Sequence, residues 1–278
     1  MVRALTVTEN TPVIYTAESI EAFARWATDG SGDSFNGAPP TGFTLAAAVE
    51  LASRRQVALS TSAGAQIDSW AANHDELNHA IRLFSLATEC RISESSDAVW
   101  LTLPTSNSAG LDAYELFLRR FREALQAAGF PNGLAYGFAG ALEGMTDNLC
   151  QHSFDGHHKR GGLAAFRTRK RGVAFVVADL GRGALASLRE NTLWRHLASD
   201  HAAVQAIITQ HASRREGLGD GEGFKILFKA MASHNGDLRF RSGGATYDIS
   251  GDLDAVRGMA GFSDPIPGLQ MSVRCRLD

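Results

Sequence analysis

The chain has 278 residues, of which 44% are hydrophobic and 21% are charged, and its formal net charge at pH 7 is −3. This composition is typical of globular proteins with one large or two ordinary domains and gives no sign of extended disorder. The slightly acidic balance provides no basic surface for nucleic acid, so we expect no nucleic-acid partner.

The cysteines and the hydropathy pattern indicate a cytoplasmic protein. Cys90, Cys150 and Cys275 lie far apart, and no two of them have metal-ligand spacing. An odd number of isolated cysteines is typical of a reducing compartment. No apolar run reaches ~18 residues, and no charged region followed by an apolar core opens the sequence, so we expect neither a membrane span nor a signal peptide.

Residues 1–108 are predicted to form a small N-terminal α/β domain that senses or binds another protein. A loop rich in glycine, proline and serine, from Thr28 to Gly42, divides this region internally. The segment from Pro104 to Gly110 marks the boundary to a second domain over residues 109–278. The predicted elements are strands at Val13–Tyr15 and Ala98–Leu103 and helices at Ala17–Trp26, Leu45–Arg54 and Asp75–Cys90.

Two amphipathic helices open the C-terminal region. The first runs from Ala113 to Ala128 with apolar residues at core spacing. In the second, apolar residues recur every three or four positions between Phe138 and Leu149, which places Asn148 and His152 on one face. An amide oxygen is a suitable hard ligand for magnesium, so Asn148 is the candidate metal ligand, with His152 facing the same ligand. The alternative is a pair of polar residues on the exposed side of a core helix.

The next segment pairs a basic stretch with an apolar strand. The run from His157 to Arg171 is interpreted as a turn followed by an exposed strand. It leads into GVAFVVADLGRG from Gly172, an apolar strand that ends at Asp179 and is followed by Gly181 and Gly183. A carboxylate at this sheet edge can accept a hydrogen bond from the exocyclic amine of adenine, and the glycines let the backbone approach a flat base. The alternative is a buried strand with a plain glycine turn.

A second glycine cluster, GLGDGEGF at Gly217–Phe224, leads directly into the helical pattern Ile226–Met231. Unpaired N–H groups at a helix N-terminus can hold phosphate, and glycine permits the close approach. The chain has neither a Walker A lysine-threonine pair nor a strand directly before these glycines, which rejects the common phosphate loop and the dinucleotide fingerprint. Arg214 and Arg215 precede the cluster and either close on the terminal phosphate or remain solvated.

In this order, the three segments resemble the motifs of the GHKL, or Bergerat-fold, ATPases. This family includes gyrase-type topoisomerases, heat-shock chaperones, sensor histidine kinases, mismatch-repair ATPases and anti-sigma-factor serine kinases. The resemblance covers roughly residues 112–278, and the segment Ala184–Arg215 looks most like the lid region of the anti-sigma kinase branch. It implies an α/β class with an α+β two-layer sandwich in the C-terminal region, and ATP and magnesium as cofactors.

The resemblance also implies a role for each matching residue. In the family, the asparagine of the first motif binds magnesium, the aspartate of the first glycine box reads adenine, and the second glycine box holds the phosphates beneath a mobile lid. The matching residues in this chain are Asn148 with His152, Asp179 with Gly181 and Gly183, and Gly219 with Gly221 and Gly223.

Two positions depart from the family pattern. Catalytic members carry a glutamate base four residues before the asparagine, where this chain has Gly144. Glu143 is the candidate base, although an ideal helix rotates it by about 100° from that position, so a local bulge would be needed. Asp147 is the other candidate carboxylate. The second departure is Leu269 after Gly268, where the family often has a threonine hydroxyl near the adenine-binding aspartate.

Three classes of function follow from these residues. A kinase or ATPase would use Glu143 to activate a hydroxyl or water, a nucleotide-gated module would change its partner when ATP closes the lid, and an interaction protein would keep the fold without nucleotide. Gly144 favours the gated module, and the intact glycines argue against loss of the nucleotide. We therefore expect an ATP-binding signalling protein, leave its enzymatic activity open, and allow for a homodimer.

Overall fold

The computed structural model describes residues 14–15, 42–56, 61–86, 89–103, 111–152, 161–210, 212, 236–250 and 257–277. Its helices are α1 (Leu45–Gln56), α2 (Thr61–Ala71), α3 (Asp75–Leu86), α4 (Leu111–Ala127), α5 (Asn132–His152), α6 (Gly183–Leu188) and α7 (Asp200–Gln210). Its strands are β1 (Ile14–Tyr15), β2 (Gly42–Phe43), β3 (Ile92–Glu94), β4 (Val99–Leu103), β5 (Gly162–Arg169), β6 (Gly172–Asp179), β7 (Asp237–Ser250) and β8 (Arg257–Arg276). None of the helices in the described ranges is long and apolar enough to cross a membrane.

Six strands form one antiparallel sheet in the order β3-β4-β5-β6-β8-β7, and β1 and β2 form a separate parallel pair. The class is therefore α+β. The inner strands β5 and β6 pair along their whole length, from Gly162 opposite Asp179 to Arg169 opposite Gly172. Both strands bury apolar residues on both faces, because helices cover the sheet on each side.

Alternation along each strand assigns its side chains to two separate cores. Leu163 and Ala165 of β5 pack with α1–α3, whereas Ala164 and Phe166 pack with α4–α7. The expected two layers thus become three, because the N-terminal helices lie on the second face of the sheet. Strands β3 and β4 also belong to the N-terminal region, and β4 pairs with β5. Elements on both sides of the boundary expected near residue 108 therefore share one sheet.

An aromatic cluster forms the centre of the core between the sheet and helices α4 and α5. The ring centroid of Phe121 lies 4.9 Å from that of Phe166 and 5.3 Å from that of Phe175. The ring centroids of Phe138 in α5 and Phe175 lie 5.9 Å apart. Tilted and edge-on arrangements at these distances are favourable for aromatic rings. The cluster therefore fixes α5, and with it the backbone of Asn148, against the sheet.

Strand β7 folds back on itself at Gly243 and Gly244. Arg239 and Asp248 are nine residues apart, which is roughly 30 Å in an extended strand, yet their side chains form an ion pair at 3.1 Å. Gly243 has a φ of +54°, a left-handed conformation that glycine adopts without strain. The Asp200 carboxylate at the start of α7 accepts a hydrogen bond from Gly244 N–H at 3.0 Å, which holds the bend against the helix.

Most predicted elements are confirmed, with small shifts at their ends. The predictions for Ala17–Trp26 and Ile226–Met231 lie outside the described residues, and α2 has no counterpart among the predicted elements. The confirmed elements are β1, α1, α3, β4, α4, α5 and β6.

The prediction of an exposed strand before Arg171 is wrong about its exposure. Strand β5 is present, but it is an inner strand, and its residues from Gly162 to Phe166 are buried. The basic residues that suggested a surface strand are confined to its end, where Arg167 and Arg169 pair with Asp97 at 3.2 Å and 2.6 Å. The basic residues therefore indicate an exposed end of β5, whereas the middle of the strand is buried.

Replacing Phe121 by alanine tests the aromatic cluster. Phe121 is fully buried, so its truncation should lower the free energy of unfolding by about 3–5 kcal/mol through lost burial and the remaining cavity. Leu193→Ala is the control, because Leu193 is 67% exposed and its truncation should change the free energy by less than about 0.5 kcal/mol. Urea unfolding measures both values, and equal losses would contradict the described core.

Candidate functional site

The carboxylate of Asp179 is the centre of the candidate site. Asp179 is the last residue of β6, and only 1% of its surface is exposed. Its Oδ1 accepts a hydrogen bond from Gly181 N–H at 2.6 Å, which turns the chain sharply after the strand. The apolar strand thus ends in a buried carboxylate, as the sequence predicts, while its ligand stays a prediction.

The backbone of Gly268 in β8 lies directly against Asp179. Gly268 has a φ of +64°, and a Cβ atom at this position would overlap the carbonyl oxygen and Oδ1 of Asp179. Glycine is therefore required here unless the aspartate moves. Pairing between β8 and β6 extends to Gln270 opposite Ala178, so the close approach occurs just beyond the paired segment.

A serine hydroxyl from β7 completes this contact. Ser242 Oγ donates a hydrogen bond to the Gly268 carbonyl oxygen at 2.9 Å and accepts one from Ala184 N–H at 2.8 Å. Sequence analysis missed Ser242, because the family pattern places a hydroxyl after Gly268, where this chain has Leu269. A serine before a glycine pair is its signal in the sequence, and that signal alone does not indicate a site.

Gly183, the first residue of α6, lies against Ser242 and Gly268. It has a φ of +79°, and a Cβ atom on it would lie 2.9 Å from Ser242 Oγ and 3.2 Å from the Gly268 carbonyl oxygen. Both distances are shorter than ordinary van der Waals contact, so glycine keeps the room that these bonds need. The groups that Gly183 approaches belong to the protein, and the predicted approach to a flat base stays a prediction.

The C-terminal turn of α5 reaches the same end of the sheet. Gly162 pairs with Asp179, and a Cβ atom on Gly162 would lie 2.7 Å from Leu149 Cδ2 and 3.4 Å from Asp179 Cβ. The missing side chain thus lets Leu149 approach the strand end beside the aspartate. Asn148 and His152 belong to this part of α5, although their side chains lie outside the described part of the structure.

Glu143 lies on a different side of α5. Its side chain is exposed and lines a surface cavity together with Arg119 and Arg122 of α4. The helix is continuous from Asn132 to His152, so the step of five positions from Glu143 to Asn148 places the two residues about 140° apart around the helix axis. The bulge that a catalytic Glu143 would need is absent from the described backbone of α5, and the role of Glu143 as the base stays a prediction.

Asp147 also faces α4. The Tyr114 hydroxyl donates to the Asp147 carboxylate at 3.4 Å and to the Glu143 carbonyl oxygen at 3.3 Å. Burial raises the pKa of the Asp147 carboxyl, and the hydrogen bond from Tyr114 opposes that rise only in part. These contacts belong to the interface between α4 and α5 and not to the surroundings of Asp179.

Most of the predicted lid region is packed into the core. Leu188 of α6 and Ala203 and Val204 of α7 are buried, and Asp200 binds the bend of β7. Residues 183–210 are thereby fixed to the sheet. The described part of the predicted lid region therefore packs against the sheet as far as Gln210.

The predicted phosphate-binding residues fall after that point. Gly219, Gly221 and Gly223, together with Arg214 and Arg215, lie outside the described residues. Their roles stay predictions.

The assignment to a family rests on the motifs alone. No protein-family model matches the chain, and no curated protein matches it either. The likeness to the GHKL ATPases is therefore a resemblance of residues and spacing.

Gly268→Ala should cost more stability than Gly129→Ala. Both glycines have positive φ angles, +64° and +96°, so alanine is strained at either position by roughly 1–2 kcal/mol. A Cβ atom at Gly129 has no neighbour within 4 Å, whereas one at Gly268 overlaps Asp179 and should add about 1–3 kcal/mol of overpacking. Denaturant unfolding of the two variants tests this difference, and similar losses would show that the close approach is not present.

Proposed function

We propose that this protein binds ATP with magnesium at the end of the sheet around Asp179 and uses the nucleotide to control binding of a protein partner. The observation that carries the proposal is the contact of Gly268 with the buried carboxylate of Asp179, together with the contacts of Gly183 and Ser242 with the Gly268 carbonyl oxygen. The last turns of α5, which contain Asn148, lie beside them.

The residues of the site suit the groups of the nucleotide. A carboxylate has acceptor lone pairs for more than one donor, so Asp179 would keep Gly181 N–H and also accept a hydrogen bond from the adenine amine once nucleotide binding uncovers it, because it is only 1% exposed in this structure. Asn148 would hold magnesium through its amide oxygen, and the second glycine cluster would hold the phosphates through backbone N–H groups. When bound, magnesium neutralises charge on the phosphates.

The cation would depend on the nucleotide. Among the described residues, no group of three or more His, Cys, Asp or Glu side chains is placed to hold a metal ion. Magnesium usually binds through one or two protein oxygens together with substrate phosphates. A single amide ligand at Asn148 is consistent with that mode.

Nucleotide-gated binding is favoured over rapid turnover. Glu143 and Asp147, the two carboxylates considered as bases, both lie on the α4 side of α5. A well-placed base contributes on the order of 100-fold or more to a rate, so its absence lowers turnover and leaves binding intact. We assign partner binding to the layer formed by α1–α3 and place the protein in the cytoplasm.

Asp179→Asn should abolish stabilisation by ATP. At a ligand concentration of 100 times the dissociation constant, ATP with magnesium should raise the free energy of unfolding of the natural protein by about 2.7 kcal/mol. The asparagine variant presents an amide in place of a carboxylate acceptor, so its stability should be the same with and without nucleotide. Thermal unfolding with and without ATP measures the difference within each variant.

Asp112→Asn is the matched control, because Asp112 is an exposed residue in the first turn of α4. It should keep the full stabilisation by ATP. Stabilisation that persists in Asp179→Asn would overturn the adenine assignment. Its absence from the natural protein would overturn the whole proposal and favour an interaction protein that has lost the nucleotide.

Glu143→Ala and Asp147→Ala should leave any phosphate release unchanged within about threefold, because neither carboxylate is directed to the Asp179 region. Asn148→Ala is the positive control and should reduce release, because it removes the proposed metal ligand. A loss on the order of 100-fold in either carboxylate variant would instead identify a general base and support a kinase or ATPase.

A further inference from the structure

Helix α1 carries a buried ion cluster that reaches β7. Glu50 is 1% exposed and accepts hydrogen bonds from Arg54 at 3.1 Å and 3.3 Å and from Arg241. Arg241 is completely buried. Burial favours the neutral acid, but the surrounding guanidinium groups outweigh it and hold the pKa of Glu50 below its usual value. Glu50 is therefore a buried carboxylate that binds a strand of the sheet.

The strand that Glu50 binds is also part of the candidate site. Arg241 and Ser242 are adjacent in β7, so their side chains point to opposite faces of the sheet. Arg241 joins the α1 side, while Ser242 holds the Gly268 carbonyl oxygen and Ala184 N–H. Because a single peptide bond joins Arg241 to Ser242, a displacement of Arg241 also displaces Ser242.

A second link connects α1 to β8. Gln270 pairs with Arg241 across the strands and donates through Nε2 to the Ala46 carbonyl oxygen at 3.1 Å. It follows Gly268 by two residues. Both strands that shape the surroundings of Asp179 are therefore attached to the same helix of the N-terminal layer.

Buried charge is an unusual way to attach a helix to a sheet. An apolar contact of the same size would stabilise the fold as well or better, whereas a paired charge demands one register. The cluster at Glu50 therefore specifies where β7 lies along α1, and Ser242 and Gly268 are placed accordingly.

We propose that Glu50 is a positioning residue for the nucleotide site and that α1 couples the N-terminal layer to nucleotide affinity. The inference rests on the proposed function and adds its regulation. A partner that shifts α1 changes the affinity for ATP, and ATP changes the affinity for that partner by the same factor.

Glu50→Gln tests this coupling, because it removes the charge and keeps the size of the side chain. ATP affinity should fall about tenfold or more, and hydrogen exchange at the Ala184 amide should accelerate by a similar factor. The matched control is Ala52→Gly, which weakens the same buried helix without touching the ion cluster. At equal loss of thermal stability, the control should change both quantities by less than about threefold.

Gln270→Met is an independent variant, and it tests the coupling through α1 even if Glu50→Gln does not fold. Among the described residues, Gln270 Oε1 has no hydrogen-bond partner, so methionine removes the Ala46 link without leaving a buried charge unpaired. It should change affinity and Ala184 exchange in the same direction as Glu50→Gln. If a folded Gln270→Met or Glu50→Gln protein binds ATP and exchanges at Ala184 like the control, the inference is overturned.

The two proposals fail in different ways. If the natural protein does not bind ATP, the proposed function fails, and exchange at Ala184 still reports whether Glu50 positions Ser242. If the natural protein binds ATP but the variants match the control, only the coupling through α1 is wrong.

Discussion

The close approach between Gly268 and Asp179 is the constraint on which the candidate site depends. The carboxylate at the end of β6 is buried because the backbone of β8 crosses it. That crossing requires a left-handed residue without a side chain, and it places a carbonyl oxygen where Ser242 can bind it. Ser242 then fixes the Ala184 N–H group in the first turn of α6. One steric requirement thus arranges three separate strands and a helix.

Helices cover both faces of the sheet, and this covering buries charged residues of its strands. In an antiparallel sheet, one face often meets water, but here α1–α3 cover the face opposite α4–α7. Of the two arginines that alternate with apolar residues in β7, Arg239 keeps 14% of its side chain exposed, whereas Arg241 is completely buried. Arg241 is enclosed and needs a carboxylate, which Glu50 supplies from 191 residues earlier in the chain. Burial of charge is here a direct result of adding a third layer.

The sequence predicts local elements well and their assembly poorly, for a physical reason. Apolar periodicity is a property of neighbouring residues, so helices such as α4 and α5 and the apolar strand β6 could be identified. The burial of β5 could not, because its basic end hides an inner strand, and one of its two partners, β4, lies about 60 residues earlier in the chain.

The same limit applies to the site. Asp179 and the glycines after it have a local pattern, whereas Ser242, Gly162 and Glu50 act through contacts between distant segments. Glu143 shows that residues close in sequence need not act together. Its proximity to Asn148 in sequence suggested a shared role, but helix geometry directs the two residues to different sides.

The strand order also has a consequence for synthesis of the chain. Strand β8 follows β7 in sequence, yet it lies between β6 and β7 inside the sheet. At about 5–20 residues per second, the ribosome needs several seconds or more to deliver β8 after β6 is complete. During that interval, the backbone of Gly172–Ala178 is a bare edge that can pair with another nascent chain. This topology makes protection of β6 by a chaperone most valuable between the synthesis of β6 and that of β8.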